Sequence, residues 1–361
     1  LYLYCKKMSK ITIYAIGSVV LFFSFFLFGE KVAVLSEISK PAFDFFVDGD
    51  QLFITQCATI YIYSLKDFKL QKNFGQRGEG PREFKVHTQE HVYVSVQPDF
   101  ILVGSGGKIS FFSRDGRFKE EIRNNTKFGS FTPLDGNYIG YSNENEGKKR
   151  YTVVNILDSN FKKIKEVCRG EHSLQKKTIA LVTGTFHYKV YNDNIYVVYW
   201  DGEFLVDCFG KNGDFKFSLK NENFKRRKVN VQDRERIHKW CKFYWKDWYH
   251  KNKHRIKINE YWPAIGTFFV DGSIIYISTY VRQKDDWLFY LYDLKGNYLQ
   301  KIYLPLYERN VWAPYPYSIK NGKLYQIIEN EETEKWELHI TRINPSAGPS
   351  ARSPHAQVME Q

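Results

Sequence analysis

A ten-residue pattern that returns along the chain limits its fold more than any other feature. Phe45-Phe46-Val47-Asp48-Gly49-Asp50-Gln51-Leu52-Phe53-Ile54 comes back as Phe268-Phe269-Val270-Asp271-Gly272-Ser273-Ile274-Ile275-Tyr276-Ile277. Looser copies occupy residues 94–103, 131–139, 190–198 and 318–325. Each is an apolar run, a short turn of Asp-Gly, Asn-Gly or similar type, and a second apolar run. Such turns need positive φ angles, which Gly and Asn tolerate, so each copy reads as a β-hairpin. A second turn follows at Lys66-Asp67, Asp115-Gly116, Asp158-Ser159-Asn160, Asn212-Gly213 and Lys295-Gly296-Asn297. After it comes an outer strand with alternating apolar residues, such as Phe118-Lys119-Glu120-Glu121-Ile122. The sixth unit has a weaker counterpart near residues 331–335.

Four strands per unit and six units predict an all-β chain, a six-bladed β-propeller of four-stranded antiparallel blades. The blades fall at about 43–74, 86–123, 128–168, 183–220, 263–304 and 314–343. A further strand over residues 31–39 is expected to complete the last blade and close the ring, which removes an exposed edge. A sandwich of hairpins is the alternative use of the same strands. With 43% hydrophobic residues over 361 positions, the chain can bury the core that either fold needs.

Between the first two blades stands Gly75-Gln76-Arg77-Gly78-Glu79-Gly80-Pro81-Arg82-Glu83-Phe84. Three glycines and a proline make a tight connector. It resembles the inter-blade loop of NHL-like six-bladed propellers, particularly the exported bacterial group, and the resemblance covers about residues 31–344. The later blades lack this connector. The loop has no Lys-Ser/Thr of a phosphate-binding loop and no helical pattern after it, so its first role is structural. Arg77, Arg82 and Glu83 are candidate binding residues, near a mouth of the ring where propellers take partners.

Between the fourth and fifth blades, over about 221–262, the grammar changes. Residues 231–257 lack Gly and Pro, and Ile237, Trp240, Tyr244 and Trp248 recur at three- and four-residue steps. This predicts an amphipathic helix with those four side chains inward. It leads into Pro263-Ala264-Ile265, and similar helical insertions ahead of such a strand occur in the group that the chain resembles. Lys225, Arg226, Arg227 and Lys228 precede the helix and further lysines decorate it. Cations interleaved with aromatics suit an anionic membrane surface or a partner; the plainer reading packs the aromatics on the ring and leaves the lysines in water. His250 and His254 stand four apart, but Lys251 breaks the H-E-x-x-H pattern of zinc sites. No catalytic, cofactor or metal site follows from the motifs.

Ahead of the ring, residues 11–28 carry no charge and follow Lys6, Lys7 and Lys10. The run approaches the length of a bilayer core and its flank is positive, so it reads as an N-terminal transmembrane or signal helix over residues 1–30. An anchor is preferred to a cleaved signal, and either sends the ring to the periplasm or cell surface. Export turns the net charge of +13 from a nucleic-acid signal into a matter of solubility and encounter. Four of the five cysteines fall after the anchor, at no metal-binding spacing, and isolated buried thiols are the expected state. The tail at 345–361, rich in Pro, Ser and Ala, is expected to be disordered. The expected function is a non-enzymatic binding or protein-interaction module for a protein or glycan partner. The alternative that the resemblance leaves open is a metal-dependent lactonase or lyase with its site in the central channel.

Overall fold

The computed structural model describes residues 30–39, 44–86, 92–123, 128–172, 179–183, 186–199 and 202–343. The N-terminal segment and the tail discussed above lie outside them. Six four-stranded antiparallel sheets follow one another along the chain. Their innermost strands are Asp44–Asp48, Tyr93–Val96, Phe128–Leu134, His187–Tyr191, Phe268–Asp271 and Tyr317–Lys320. Blade 6 is finished from the other end of the chain: Glu30–Val34 pairs antiparallel with Lys335–Arg342, Glu30 opposite Ile340. The expected closure is thus present, in a strand that stops at Val34. Leu35 and Ile38 then turn into a core shared with Phe45, Leu52, Ile327 and Trp336, which joins blade 6 to blade 1.

The strand patterns have a plain cause. Second and third strands lie between neighbouring blades and are covered on both faces, so Ile101–Ser105 and Lys108–Phe112 are buried at every position. Fourth strands form the rim, and Phe118–Arg123 is largely wet. The cores are therefore interfaces between blades. Phe53, Ile60 and Ile62 of blade 1 meet Val94, Ile101 and Phe112 of blade 2 around Phe84 of the connector. One regularity has no counterpart in the residue pattern. In blades 1 to 5 the pairing of third and fourth strands slips by a bulge near the second turn, at Ile62/Tyr63, Phe111/Phe112, Ile156/Leu157, Cys208/Phe209 and Leu291/Tyr292. A bulge bends a strand and increases its twist, and here it recurs at one place in each blade.

The glycine-rich connector folds on itself. Gln76–Arg77 pairs with Glu83–Phe84, and the Glu83 carboxylate accepts the Gly80 amide at 2.8 Å and the Gln76 side-chain amide at 2.9 Å. Gly75 has φ +86, and a Cβ there would lie 2.4 Å from the Phe84 ring and 2.5 Å from the Ala58 carbonyl oxygen. Gly75→Ala is expected to cost about 2–4 kcal/mol. The readout is a lower urea midpoint at unchanged slope; an unmoved midpoint would show that the connector relaxes freely.

Four antiparallel strands per blade bring the chain in and out on the same face. The connector, the insertion and the segment Glu308–Pro314 before blade 6 gather there. The insertion is a helix α1 (Val231–Tyr244), broken at Trp245, followed by α2 (Lys246–Asn252) and a single 3₁₀ turn. Ile256–Ile258 then pairs in parallel with Ile179–Leu181. The helix is present, and its buried stripe is the expected one only in part: Ile237 is fully buried and Trp240 is half-buried against the same core. Asp233, Ile237 and Cys241 face inward, while Tyr244 and Trp248 are 64% and 36% exposed. An acidic side chain displaced the aromatics because it has partners inside, described next. Cys57, Cys168, Cys208 and Cys241 are all free thiols, the last two buried.

Candidate functional site

The innermost strands of all six blades surround a channel of about 850 Å³. It opens toward the insertion face, where Trp312, Tyr315 and Arg309 stand at its mouth. Most of the wall is aromatic or hydroxyl-bearing. Tyr317 donates to Ser278 Oγ at 3.0 Å, and Ser278 in turn donates to the Thr267 carbonyl.

Among the described residues four charged side chains interrupt this wall: Arg309 at the mouth, Asp48, which is paired with Arg114 at 2.8 Å, and Asp44 and Lys189 on the inner strands. Asp44 begins the inner strand of blade 1, and Lys189 lies in the middle of that of blade 4. Blades 1 and 4 are three places apart in a ring of six, so the two stand on opposite sides. Asp44 is exposed to the channel, inside the ring of six blades. The confinement pushes its carboxyl up to about 6, against the pull of the Lys189 charge and the Phe45 amide. Burial likewise brings the Lys189 ammonium down to about 8, with Asp44 opposing. The ammonium sits 4.0 Å from the centre of the Phe269 ring and 5.6 Å from that of Phe268, a cation–π arrangement. His187, two residues earlier on the same side of the strand, stacks on Phe268 at 5.2 Å. Burial holds the imidazole neutral, at about 3, with the Lys189 charge adding to the effect.

The second distinctive region is the seat of the insertion. Asp233 lies in the first turn of α1, where it exchanges capping bonds with Asn230. Its carboxylate also accepts two bonds from Arg227 Nη2, at 2.6 and 2.8 Å, and one from Trp262 Nε1 at 3.2 Å. Trp262 is fully buried, stacked on Tyr280 at 5.1 Å. Glu308 holds the next turn, binding Arg236 at 2.8 Å and also Arg282. The Arg282 guanidinium lies 4.1 Å over the Trp287 ring, and burial, then Arg227 and Arg236, lower it to about 10.

On the outer side the insertion is aromatic. Phe243 is 76% exposed and touches Tyr244, with ring centres 4.8 Å apart. Trp240 packs between Tyr244, Trp245 and Trp312, and so links the outer face of α1 to the channel mouth.

The residues that sequence reasoning selected lie outside the channel. Arg77 is exposed, Arg82 stacks over Phe118 at 5.2 Å, and Glu83 holds the connector. Lys225 is exposed, Arg226 lies over Tyr261 at 5.1 Å, and Lys228 reaches Glu260 at 3.5 Å. Arg227 is the one that turns inward, to Asp233. His250 and His254 are exposed, and no three His, Cys, Asp or Glu side chains gather around one point among the described residues. Asp44 and Lys189 went unselected. The available signal was a charge inside an apolar inner strand: the repeat that reads Asp44-Phe45-Phe46 in blade 1 reads Thr267-Phe268-Phe269 in blade 5.

Fold and site together define a six-bladed β-propeller with a charged, aromatic-walled channel and a helical insertion at its mouth. No protein-family model and no curated protein matches the chain. Among solved structures it is similar to a member of the duf4221 family from Bacteroides vulgatus, at 11% identity and TM-score 0.48, covering 87% of this chain and 97% of that one. It is similar to a luciferin-regenerating enzyme at 10% identity and TM-score 0.42, with 86% and 95% covered. A third likeness is to BamB from Moraxella catarrhalis, at 9% identity and TM-score 0.33, with 81% and 80% covered. At these scores the likenesses carry nothing about ligand, partner or activity.

Proposed function

We propose that this chain is an exported binding module of the NHL-like propeller group, with the insertion as its docking face on an anionic membrane surface. The ring is a rigid holder, exported by the apolar segment at residues 11–28. Glu30–Val34 runs toward the insertion face, so that segment joins the ring at the opposite face and the insertion docks independently of it. The observation that supports this reading is the outward set Phe243, Tyr244, Trp245 and Trp248, carried on the end of α1, its break and α2, while the inward stripe of α1 is occupied by Asp233, Ile237 and Cys241. Exposed aromatics on an insertion that also carries Lys225, Arg226, Lys239 and Lys242 have the composition of an interfacial segment, with apolar rings to enter the headgroup layer and cations to meet anionic lipid. A protein or glycan partner is the other occupant that such a face suits.

The two are separated by tryptophan quenching with brominated lipid. The chain mixed with anionic bromolipid vesicles is expected to lose fluorescence, and Trp245→Phe with Trp248→Phe removes most of that loss. Reversing Lys225, Arg226 and Lys228 to Glu removes about 1 kcal/mol per cation or more, hence on the order of a hundredfold in partitioning. Arg227 is left in place because it holds Asp233. Quenching that ignores both variants would overturn the membrane reading.

The enzyme reading draws on a different observation. A carboxyl at about 6 and an amine at about 8 in one channel are values suited to proton transfer. Fold does not decide between them. Turnover of a bound ligand, lost in Lys189→Met, would favour this second reading.

A further inference from the structure

Of the four charged side chains that line the channel, Asp48 is paired with Arg114 and Arg309 stands at the mouth, which leaves Asp44 and Lys189 on the inner strands without an ion pair. Among the described residues Lys189 has no hydrogen-bond or ion-pair partner; its contacts are the faces of Phe269 and Phe268. The Asp44 carboxylate accepts one hydrogen bond, from the Phe45 amide at 2.9 Å. Each is near enough to feel the other's field, yet the two do not close into an ion pair. A charge withdrawn from bulk solvent without a partner is costly, and here two of opposite sign are fixed on facing walls of an open space.

We propose that the channel binds a small zwitterion with an apolar or aromatic body, the class to which free α-amino acids belong. Lys189 takes the carboxylate and Asp44 the ammonium. Phe269 and the mouth aromatics Trp312 and Tyr315 line the room for the body. The balance of the two unpaired inner-strand charges selects this class. A ligand carrying only a carboxylate leaves Asp44 unanswered, one carrying only an amine leaves Lys189 so, and a polyanion meets the Asp44 charge directly. The volume of about 850 Å³ lies within the range of small-molecule sites and accommodates such a molecule with water. The inference rests on the binding reading above but not on the membrane face, so the quenching experiment and the one that follows can fail separately.

The test is calorimetric titration of the whole chain with phenylalanine and leucine, then with N-acetylphenylalanine and phenylalanine amide. Saturable binding of the free amino acids is expected, one per chain, with each blocked form weaker by about tenfold or more, since each leaves one charge unpaired. Lys189→Met and Asp44→Asn are each expected to weaken phenylalanine by a similar factor, with circular dichroism reporting whether the ring is intact. The blocked-form comparison uses the unaltered protein and stands even where a variant fails to fold. No saturable binding of free amino acids, or equal binding of free and blocked forms, overturns the proposal.

Discussion

Removing the two unpaired channel charges, Asp44→Asn with Lys189→Met, is expected to stabilise the protein at pH 7. The folded state raises the Asp44 pKa from 3.8 to about 6, so it holds a proton more tightly than the unfolded chain does. The resulting penalty is fully present above about pH 6 and fades as pH falls toward 4. The folded state lowers Lys189 from 10.5 to about 8, so that penalty is present below about pH 8 and fades as pH rises past 10. At pH 7 both are in force. Their mutual attraction and the channel's water offset part of the cost, which leaves a gain of about 1–2 kcal/mol for the double variant. Urea unfolding at pH 7 and again at pH 4.5 checks it, and the gain should shrink at the lower pH as the parent's Asp44 takes up its proton. A double variant less stable than the parent would make the pair a structural device instead of a site kept at a cost.

Asp233→Ala carries the largest expected loss. Asp233 is 3% exposed and joins the cap of α1, the Arg227 guanidinium and the Trp262 indole. Its removal strands a buried cation and an indole N–H, at about 3–5 kcal/mol. The damage should be confined to the insertion, because the blade strands pair independently of it. In hydrogen exchange, amides of α1 and α2 are expected to lose protection while those of Ile101–Ser105 keep theirs. Asp233→Asn retains an acceptor for the indole and the cap, and is expected to lose less. Unchanged exchange across the insertion in Asp233→Ala would place its seat elsewhere, on Glu308 in the first instance.

Much of the ring was legible because hairpin turns leave a chemical trace. Asp135-Gly136 and Asn321-Gly322 adopt the positive φ angles that those residues tolerate, and each lies where the repeat placed a turn. The closing strand was legible as an apolar run with no partner of its own. The recurrent bulge was not, since it depends on how the third and fourth strands twist together and no residue type is required for it. The helix was found from its spacing, but of its expected inward set Ile237 is buried and Tyr244 and Trp248 are exposed. Aromatic residues at three- and four-residue steps mark an apolar stripe, and only the tertiary position of Arg227 and Trp262 reveals that an aspartate has better partners inside. The channel was hidden for a related reason. Asp44 and Lys189 are 145 positions apart and meet only after six blades have been laid around an axis. A charge within an inner strand, weighed against its equivalents in the other blades, is the trace that a repeat leaves of such a site.

Ring closure also sets an order of events in time. Glu30 pairs with Ile340, so the first of the described strands is paired by the last of them. At ordinary rates of synthesis the interval is on the order of half a minute. Throughout it the outer strand of blade 6 waits without the strand it pairs with, and Leu35, Ile38 and Trp336 cannot assemble the core they share. The five other blades can form their hairpins as they emerge, but the circle exists only after release of the C-terminal strand. A nascent chain stalled before residue 335 therefore presents an open arc with two unsatisfied edges, the state from which pairing with a second copy begins.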